Sequence, residues 1–230
     1  MRYWIVFWFT VLAAFTWSGS LSLAEYRGDP KLKEYFIGCF LSEKDLGNAM
    51  VLYDDERIYG PEKKVYNSGA QNLYGGYRAW NGSGGHVFFD EFQENRYLFR
   101  SDKAAANYYR SLIANNSLAK EPDKIIEGAF GDVCSVWVYP VGEPDHLDSY
   151  LTKYYILEKN LVTLIRASQK PLSSNANVFD ELLKRISPYI RIALIKSSLL
   201  LKYYEISVKV NRQVPGSKRG MRVRRFIKKE

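Results

Sequence analysis

Histidine moves a proton most readily near neutral pH, so acid–base chemistry is sought first around the chain's two histidines, His86 and His146. His146 stands between Asp145 and Asp148 in the polar stretch VGEPDHLDS, which reads as a loop. Two carboxylates and an imidazole at that spacing suit a cation or a hydrolytic substrate, and an ordinary surface loop has the same letters. His86 opens an apolar stretch after a glycine-rich loop. On an alternating strand it shares a face with Asp90 while Glu91 points away. No serine sits in G-x-S-x-G, and neither HExxH nor GxxxxGK[ST] occurs, so those three chemistries lose their sequence support. Cys39 and Cys134 have no CxxC partner and the histidines are distant in sequence, so neither a metal nor a cofactor is expected.

Binding chemistry has a stronger compositional signal. Residues 67–85 are dense in Tyr, Trp, Asn, Gly and Ser, the mixture that stacks on sugar faces and directs hydrogen bonds. Tyr74, Tyr77, Trp80 and Asn81 are the candidate ligand contacts, for a small molecule or a glycan. The competing reading is a helix over 61–77. Tyr66, Ala70, Leu73, Tyr74 and Tyr77 fall on one helical face and Pro61 suits a first helical position, although Gly69 and Gly75 oppose it. On that helix the tyrosines fill core positions, and Trp80 is left in a loop, Trp80–Gly85. Asn81-Gly82-Ser83 and Asn115-Asn116-Ser117 match the N-glycosylation acceptor.

Charge is sharply localised. The chain carries 33 basic and 25 acidic residues, a net of +8. Eight of the bases lie in 211–230 against one acid, and Arg2 lies in the first segment, which leaves 24 of each sign in 25–210. A neutral body therefore bears a basic tail, with Lys218, Arg219, Arg222, Arg224, Arg225, Lys228 and Lys229 beyond Gly216-Ser217. Such a tail is expected to hold the protein against an anionic envelope polymer or membrane surface, at about 1 kcal/mol per charge near a lipid surface. A solvated extension of no specific role is the alternative.

The chain opens with Met1-Arg2, an apolar run from Tyr3 to Ala14, and small residues at Ser22-Leu23-Ala24. This is the order of a signal peptide over 1–24, shorter than the roughly 20 apolar residues a spanning helix needs. An uncleaved signal anchor is the rival. Export makes an intracellular nucleic-acid partner unexpected, although basic tails also bind nucleic acid. It also makes Cys39–Cys134 a candidate disulfide, worth up to about 4–5 kcal/mol in the chain-entropy view. Two separate buried thiols are the alternative.

These residues need a frame, and the remaining patterns supply one. Met50–Tyr53 and Arg57–Tyr59 suit short strands after a polar lead-in, Glu25–Lys33. His86–Phe92 and Arg96–Arg100 suggest a hairpin turning at Gln93-Glu94-Asn95. Ser101-Asp102 then starts a helix marked by Ala104, Tyr108 and Leu112 beside Ala105, Tyr109 and Ile113, ending at Asn115-Asn116. Val133–Tyr139 is a strand followed by a loop, Pro140–Ser149. Tyr154–Glu158 and Leu161–Ala167 pair around Lys159-Asn160. A helix over about 177–186 either stops at Ser187-Pro188 or restarts there through Leu201, and alternation over Tyr204–Val210 predicts a strand. The fold class expected is α+β: one domain, 25–210, with an antiparallel sheet of hairpins covered on one face by two or three helices.

Tyr59-Gly60-Pro61-Glu62, Asn67-Ser68-Gly69-Ala70 and Leu73-Tyr74-Gly75-Gly76-Tyr77 resemble a run in uncharacterised prokaryotic secreted or envelope domains. Gly131-Asp132-Val133 and Tyr154-Tyr155-Ile156 through Asn160-Leu161-Val162 resemble a second landmark of those domains. Cys134 and the chain beyond Pro188 depart from it. The resemblance implies fold and compartment, and carries no site residues.

The reading that follows is a non-enzymatic secreted or envelope domain that binds a ligand or partner and is retained by its tail. A hydrolase-like enzyme using His146 with Asp145 and Asp148 is the second reading, and a structural envelope component the third.

Overall fold

The computed structural model describes residues 30–47, 50–54, 72–83, 89–143, 146–170 and 177–213. The apolar first segment, His86, Asp145 and the basic residues from Lys218 onward lie outside the described residues.

The chain order is α1 (Pro30–Gly38), α2 (Glu43–Leu46), β1 (Met50–Asp54), β2 (Asn72–Gly82), β3 (Phe89–Phe99) and α3 (Asp102–Ser117). It continues through β4 (Lys124–Glu127), β5 (Val133–Glu143), β6 (His146–Glu158), β7 (Leu161–Gln169) and α4 (Val178–Gln213). The strands form one antiparallel sheet in the order β1-β2-β3-β7-β6-β5-β4. The α+β class and the antiparallel sheet are thus as the sequence predicts.

Strand alternation sends two sets of side chains to opposite faces. Trp80, Phe92, Cys134, Val136, Tyr154, Ile156 and Ile165 meet Ile186, Ile190 and Ala193 of α4. Tyr74, Leu98 and Leu161 meet Phe36 of α1 and Leu200, Leu201 and Tyr204 of α4. The other face presents Tyr97, Phe99, Trp137, Tyr155 and Val162 to Ala105, Tyr108, Tyr109 and Leu112 of α3. Helices α1, α2 and α4 therefore share one face and α3 lies on the opposite one, so the two helices read from the sequence, α3 and α4, cover both faces rather than one. The reason is the odd-numbered row of β3: Tyr97 and Phe99 are large, apolar and point away from α4, so they need a cover of their own.

Several local expectations are corrected. Residues 72–77 are strand rather than helix, because the Gly75-Gly76 pair is costly in a helix and useful here. A Cβ on Gly76 would stand 2.7 Å from the Phe40 ring, so glycine lets the α1–α2 connection seat this closely. Trp80–Gly82 continue that strand instead of forming a loop. β3 runs unbroken through Gln93-Glu94-Asn95, where Glu94 is buried and paired rather than solvated at a turn. Strand pairing also extends through Pro140–Glu143 and His146–Ser149.

Residues 204–210 continue α4. Leu201, Tyr204 and Val208 extend the buried helical row, and the alternation of Ile206 with its neighbours is incidental, since Ile206 faces solvent. Pro188 neither stops nor restarts the helix. It lies exposed inside α4 and leaves the Lys184 carbonyl without its helical donor; one position earlier the Ser187 hydroxyl donates to the Leu183 carbonyl at 2.6 Å.

The disulfide expectation is also corrected: Cys39 and Cys134 are separate buried thiols. Cys39 lies beside Arg96 of β3. Arg96, Thr163, Ile156 and Cys134 pair in turn across the sheet, so Cys134 stands three strand spacings away, about 14 Å. Disulfide geometry does not bridge that separation.

Candidate functional site

The helix α3 covers only part of its face. Two rows of side chains cross the remainder without a helix above them among the described residues. One row is Asp54, Ala79, Gln93, Arg166 and Lys153; its neighbour is Val51, Asn81, Glu91, Ser168 and Leu151. Tyr53 and Tyr77 border these rows from β1 and β2. Tyr53 is 48% exposed and Val51, Arg166 and Asn81 are exposed, while Ala79 between them is buried and the others are half-buried, so the patch meets solvent at those four side chains.

Polar groups here are organised rather than scattered. The Tyr53 hydroxyl donates to Glu91 Oε1 at 2.8 Å, and the Gln93 amide donates to the same oxygen. The hydroxyls of Tyr53 and Tyr77 are themselves hydrogen-bonded. Desolvation, then the contacts among these phenols and Glu91, raises the pKa of both tyrosines, that of Tyr77 the more strongly. Both phenols are therefore donors at neutral pH. On the next strands Arg166 and Lys153 face one another as a like-charged cross-strand pair, an arrangement that opposes folding. Desolvation, then the Arg166 charge, lowers the Lys153 pKa. Lys153 also lies over the Tyr139 ring at 5.0 Å, a cation–π contact. Tyrosine hydroxyls, amides and a shared positive charge on one flat surface can hold a polyhydroxylated ligand that bears acid groups.

The predicted ligand residues divide between the two faces. Tyr77 and Asn81 belong to the open patch. Tyr74 and Trp80, 7% and 1% exposed, point into the core on the α4 side, where Tyr74 stacks on Phe36 and Trp80 packs edge-on to Phe92. One-residue alternation along β2 produces that division. Tyr53, Glu91, Gln93, Arg166 and Lys153 were missed, since their only sequence signal is shared parity on strands whose pairing comes from the fold.

The His146 cluster gains no geometry. The backbone of His146 pairs with Glu143 at the end of the β5–β6 hairpin, and residues 146–149 extend past the last β6–β7 pair, Tyr150 with Gln169. Asp145 and the side chains of His146 and Asp148 lie outside the described residues. Among the described residues no group of three His, Cys, Asp or Glu side chains could hold a metal.

A second polar cluster is sealed inside. Glu94 and Arg96 form an ion pair with no exposed surface, Arg96 Nε donating to Glu94 Oε1 at 2.6 Å. Glu94 Oε2 accepts from the Leu41 backbone at 2.9 Å, and Arg96 donates to Ser197 and to the Ala193 carbonyl of α4. Nearby, Lys196 bridges Asp45 of α2 and the Phe40 carbonyl. Burial pushes the Cys39 thiol up to about 11, against the opposing pull of Arg96, so the sulfur is not a nucleophile. This cluster ties the α1–α2 connection and α4 to β3, and it has no path for substrate. A shallow groove of about 340 Å³ between α1 and α4 is lined by Lys31, Glu34, Tyr35, Gly38, Lys196 and Leu199.

No protein-family model matches the chain, and no curated protein does. Among solved structures, the extracellular domain of PknH from Mycobacterium tuberculosis is similar with a TM-score of 0.42 at 9% identity. The match covers 74% of this chain and 96% of that one. A likeness of that size leaves function to be read from this chain's own residues.

Proposed function

We propose that the protein is a non-enzymatic envelope-facing binding domain that takes an acidic glycan on the open half of its sheet and is held near the cell surface by its basic tail. The observation that carries this reading is the Tyr53–Tyr77–Glu91–Gln93 hydrogen-bonded cluster beside the Arg166–Lys153 pair. The phenols and amides would bond sugar hydroxyls, and the two cations would be relieved of their mutual repulsion by a ligand carboxylate. The signal-peptide-like order of residues 1–24 supports a position outside the cytoplasm, and the basic composition of 211–230 supports retention there.

Titration calorimetry of the full chain with oligogalacturonate, and with maltohexaose as an uncharged comparison, tests the glycan reading. Saturable binding of the acidic sugar is expected, weakened about tenfold or more by Tyr77→Ala and by Arg166→Gln. If neither sugar gives a saturable signal, or both variants bind as the parent does, the reading is wrong. Retention is tested separately: deleting 214–230 should release the protein from cells at physiological salt, and unchanged retention would refute the role of the tail.

A further inference from the structure

The outward side of α4 carries three of the exposed large hydrophobic side chains on one helix. Its inward row, Leu182, Ile186, Ile190, Ala193, Ser197, Leu200 and Tyr204, is buried at regular helical spacing. On the opposite side Ile195, Leu199 and Ile206 are 65%, 57% and 50% exposed. At about 100° per residue these three fall within about 40° of one another, and Arg191, Lys202 and Lys209 form an exposed basic row directly beside them. From Pro188 onward the one acid of α4 among the described residues is Glu205, about 40° beyond the basic row and paired with Lys159 at 2.6 Å.

An apolar stripe flanked by cations on one helix is the pattern of a helix lying in a membrane interface. No described helix is long and apolar enough to cross a membrane, so a position on the surface is the one this helix can take. The direction of the chain fits the same surface. Helix α1 runs antiparallel to α4, with Tyr35 stacked on Tyr203 at 4.5 Å and Lys31 over the same ring at 5.7 Å. Pro30 therefore lies near the C-terminal half of α4, and the eight-base segment 211–230 begins in its last turn. The stripe therefore runs toward the end of α4 from which the basic sequence 211–230 continues.

We propose that this face of α4 docks on anionic lipid headgroups, with Ile195, Leu199 and Ile206 inserted among the acyl-chain margins and Arg191, Lys202 and Lys209 at the phosphates. The inference rests on the surface-retention reading above and deepens it: the partner is an anionic bilayer, and α4 itself supplies a docking face.

Co-sedimentation with vesicles tests this. The full chain is mixed with phosphatidylglycerol–phosphatidylcholine vesicles, with pure phosphatidylcholine vesicles, and with insoluble polygalacturonate as a lipid-free polyanion. Binding is expected on the anionic vesicles and weak on the neutral ones. The triple variant Ile195→Gln, Leu199→Gln, Ile206→Gln should lower vesicle partitioning about fivefold or more, with polygalacturonate binding unchanged. All three sites are exposed and glutamine is a good helix former, so an unchanged denaturation midpoint verifies that the fold is intact. If the triple variant binds vesicles as the parent does while deletion of 214–230 abolishes binding, the docking face is refuted and tail retention stands. If the deletion has no effect and the triple variant loses binding, docking by α4 stands and the tail reading falls.

Discussion

The buried Glu94–Arg96 pair is the residue-scale feature with the largest consequence. Two charges without exposed surface are tolerable because Leu41, Ser197 and the Ala193 carbonyl satisfy the remaining hydrogen-bonding positions. Removing one partner leaves the other charge buried and uncompensated. Arg96→Met should therefore destabilise the protein by about 3–5 kcal/mol in urea unfolding, and Glu94→Leu with Arg96→Met should recover most of that loss. A single variant within about 1 kcal/mol of the parent would show the pair to be unimportant. The sequence placed Glu94 in a solvated turn because charged residues are rarely buried. Nothing local signals that an arginine two positions along the same strand will neutralise it.

At the element scale, the Gly131-Asp132 turn ties β5 to the β6–β7 hairpin through a residue that must be glycine. Gly131 has φ +74°, and a Cβ there would stand 2.7 Å from the Leu157 carbonyl oxygen. Asp132 donates its backbone N–H to that carbonyl at 2.8 Å, and its carboxylate accepts from the Lys159 N–H at 2.7 Å. The turn thus clamps the β6–β7 hairpin, whose positive φ falls on Lys159 rather than on the tolerant Asn160. Asn160 instead donates its side-chain amide to the Phe99 carbonyl at 2.6 Å. Gly131→Ala should cost about 2 kcal/mol or more, read from the urea midpoint, with backbone strain and the close contact both contributing. An alanine variant as stable as the parent would contradict this account. The hairpin and the helix beginning at Ser101 were legible because their signals are local, the Ser101 hydroxyl accepting from Ala104 N at 3.2 Å as an N-cap. The continuation of α4 through 204–210 was not, because period-2 and period-3.6 patterns overlap over so few residues.

At the scale of the whole molecule, stability should fall at both ends of the pH range. Burial raises Asp45, but the hydrogen bonds from Lys196 and Ser42 outweigh it, and the carboxyl titrates below its ordinary 3.8. A depressed folded value means that its contribution is complete above 3.8 and is lost as pH falls further. The two thiols act in the opposite sense. Burial raises Cys39 to about 11 and Cys134 to about 12 from 9.0, so their contribution is present below pH 9.0 and fades as pH rises above it. Thermal unfolding followed across pH should show both limbs. Cys39→Ala and Cys134→Ala together should flatten the alkaline limb, and an unaltered limb would assign it elsewhere. Because the thiols are separate, a reductant should leave the midpoint unchanged, and Ellman's reagent should react only after unfolding.

Some properties follow from the sequence by itself. They are the α+β class, the central helix, the β6–β7 hairpin, the neutral body and the basic tail, all of which depend on composition or on patterns within a few residues. The sequence also singled out the Tyr-, Trp- and Asn-rich stretch from which Tyr77 and Asn81 of the open patch come. Tertiary structure alone decided which of those residues face outward. Strand pairing assigned Tyr77 and Asn81 to the open face and Tyr74 and Trp80 to the core, and it brought Tyr53, Glu91, Gln93, Arg166 and Lys153 from four other strands to join them. A face of a sheet is a property of register, and register is set by contacts between residues far apart in the chain.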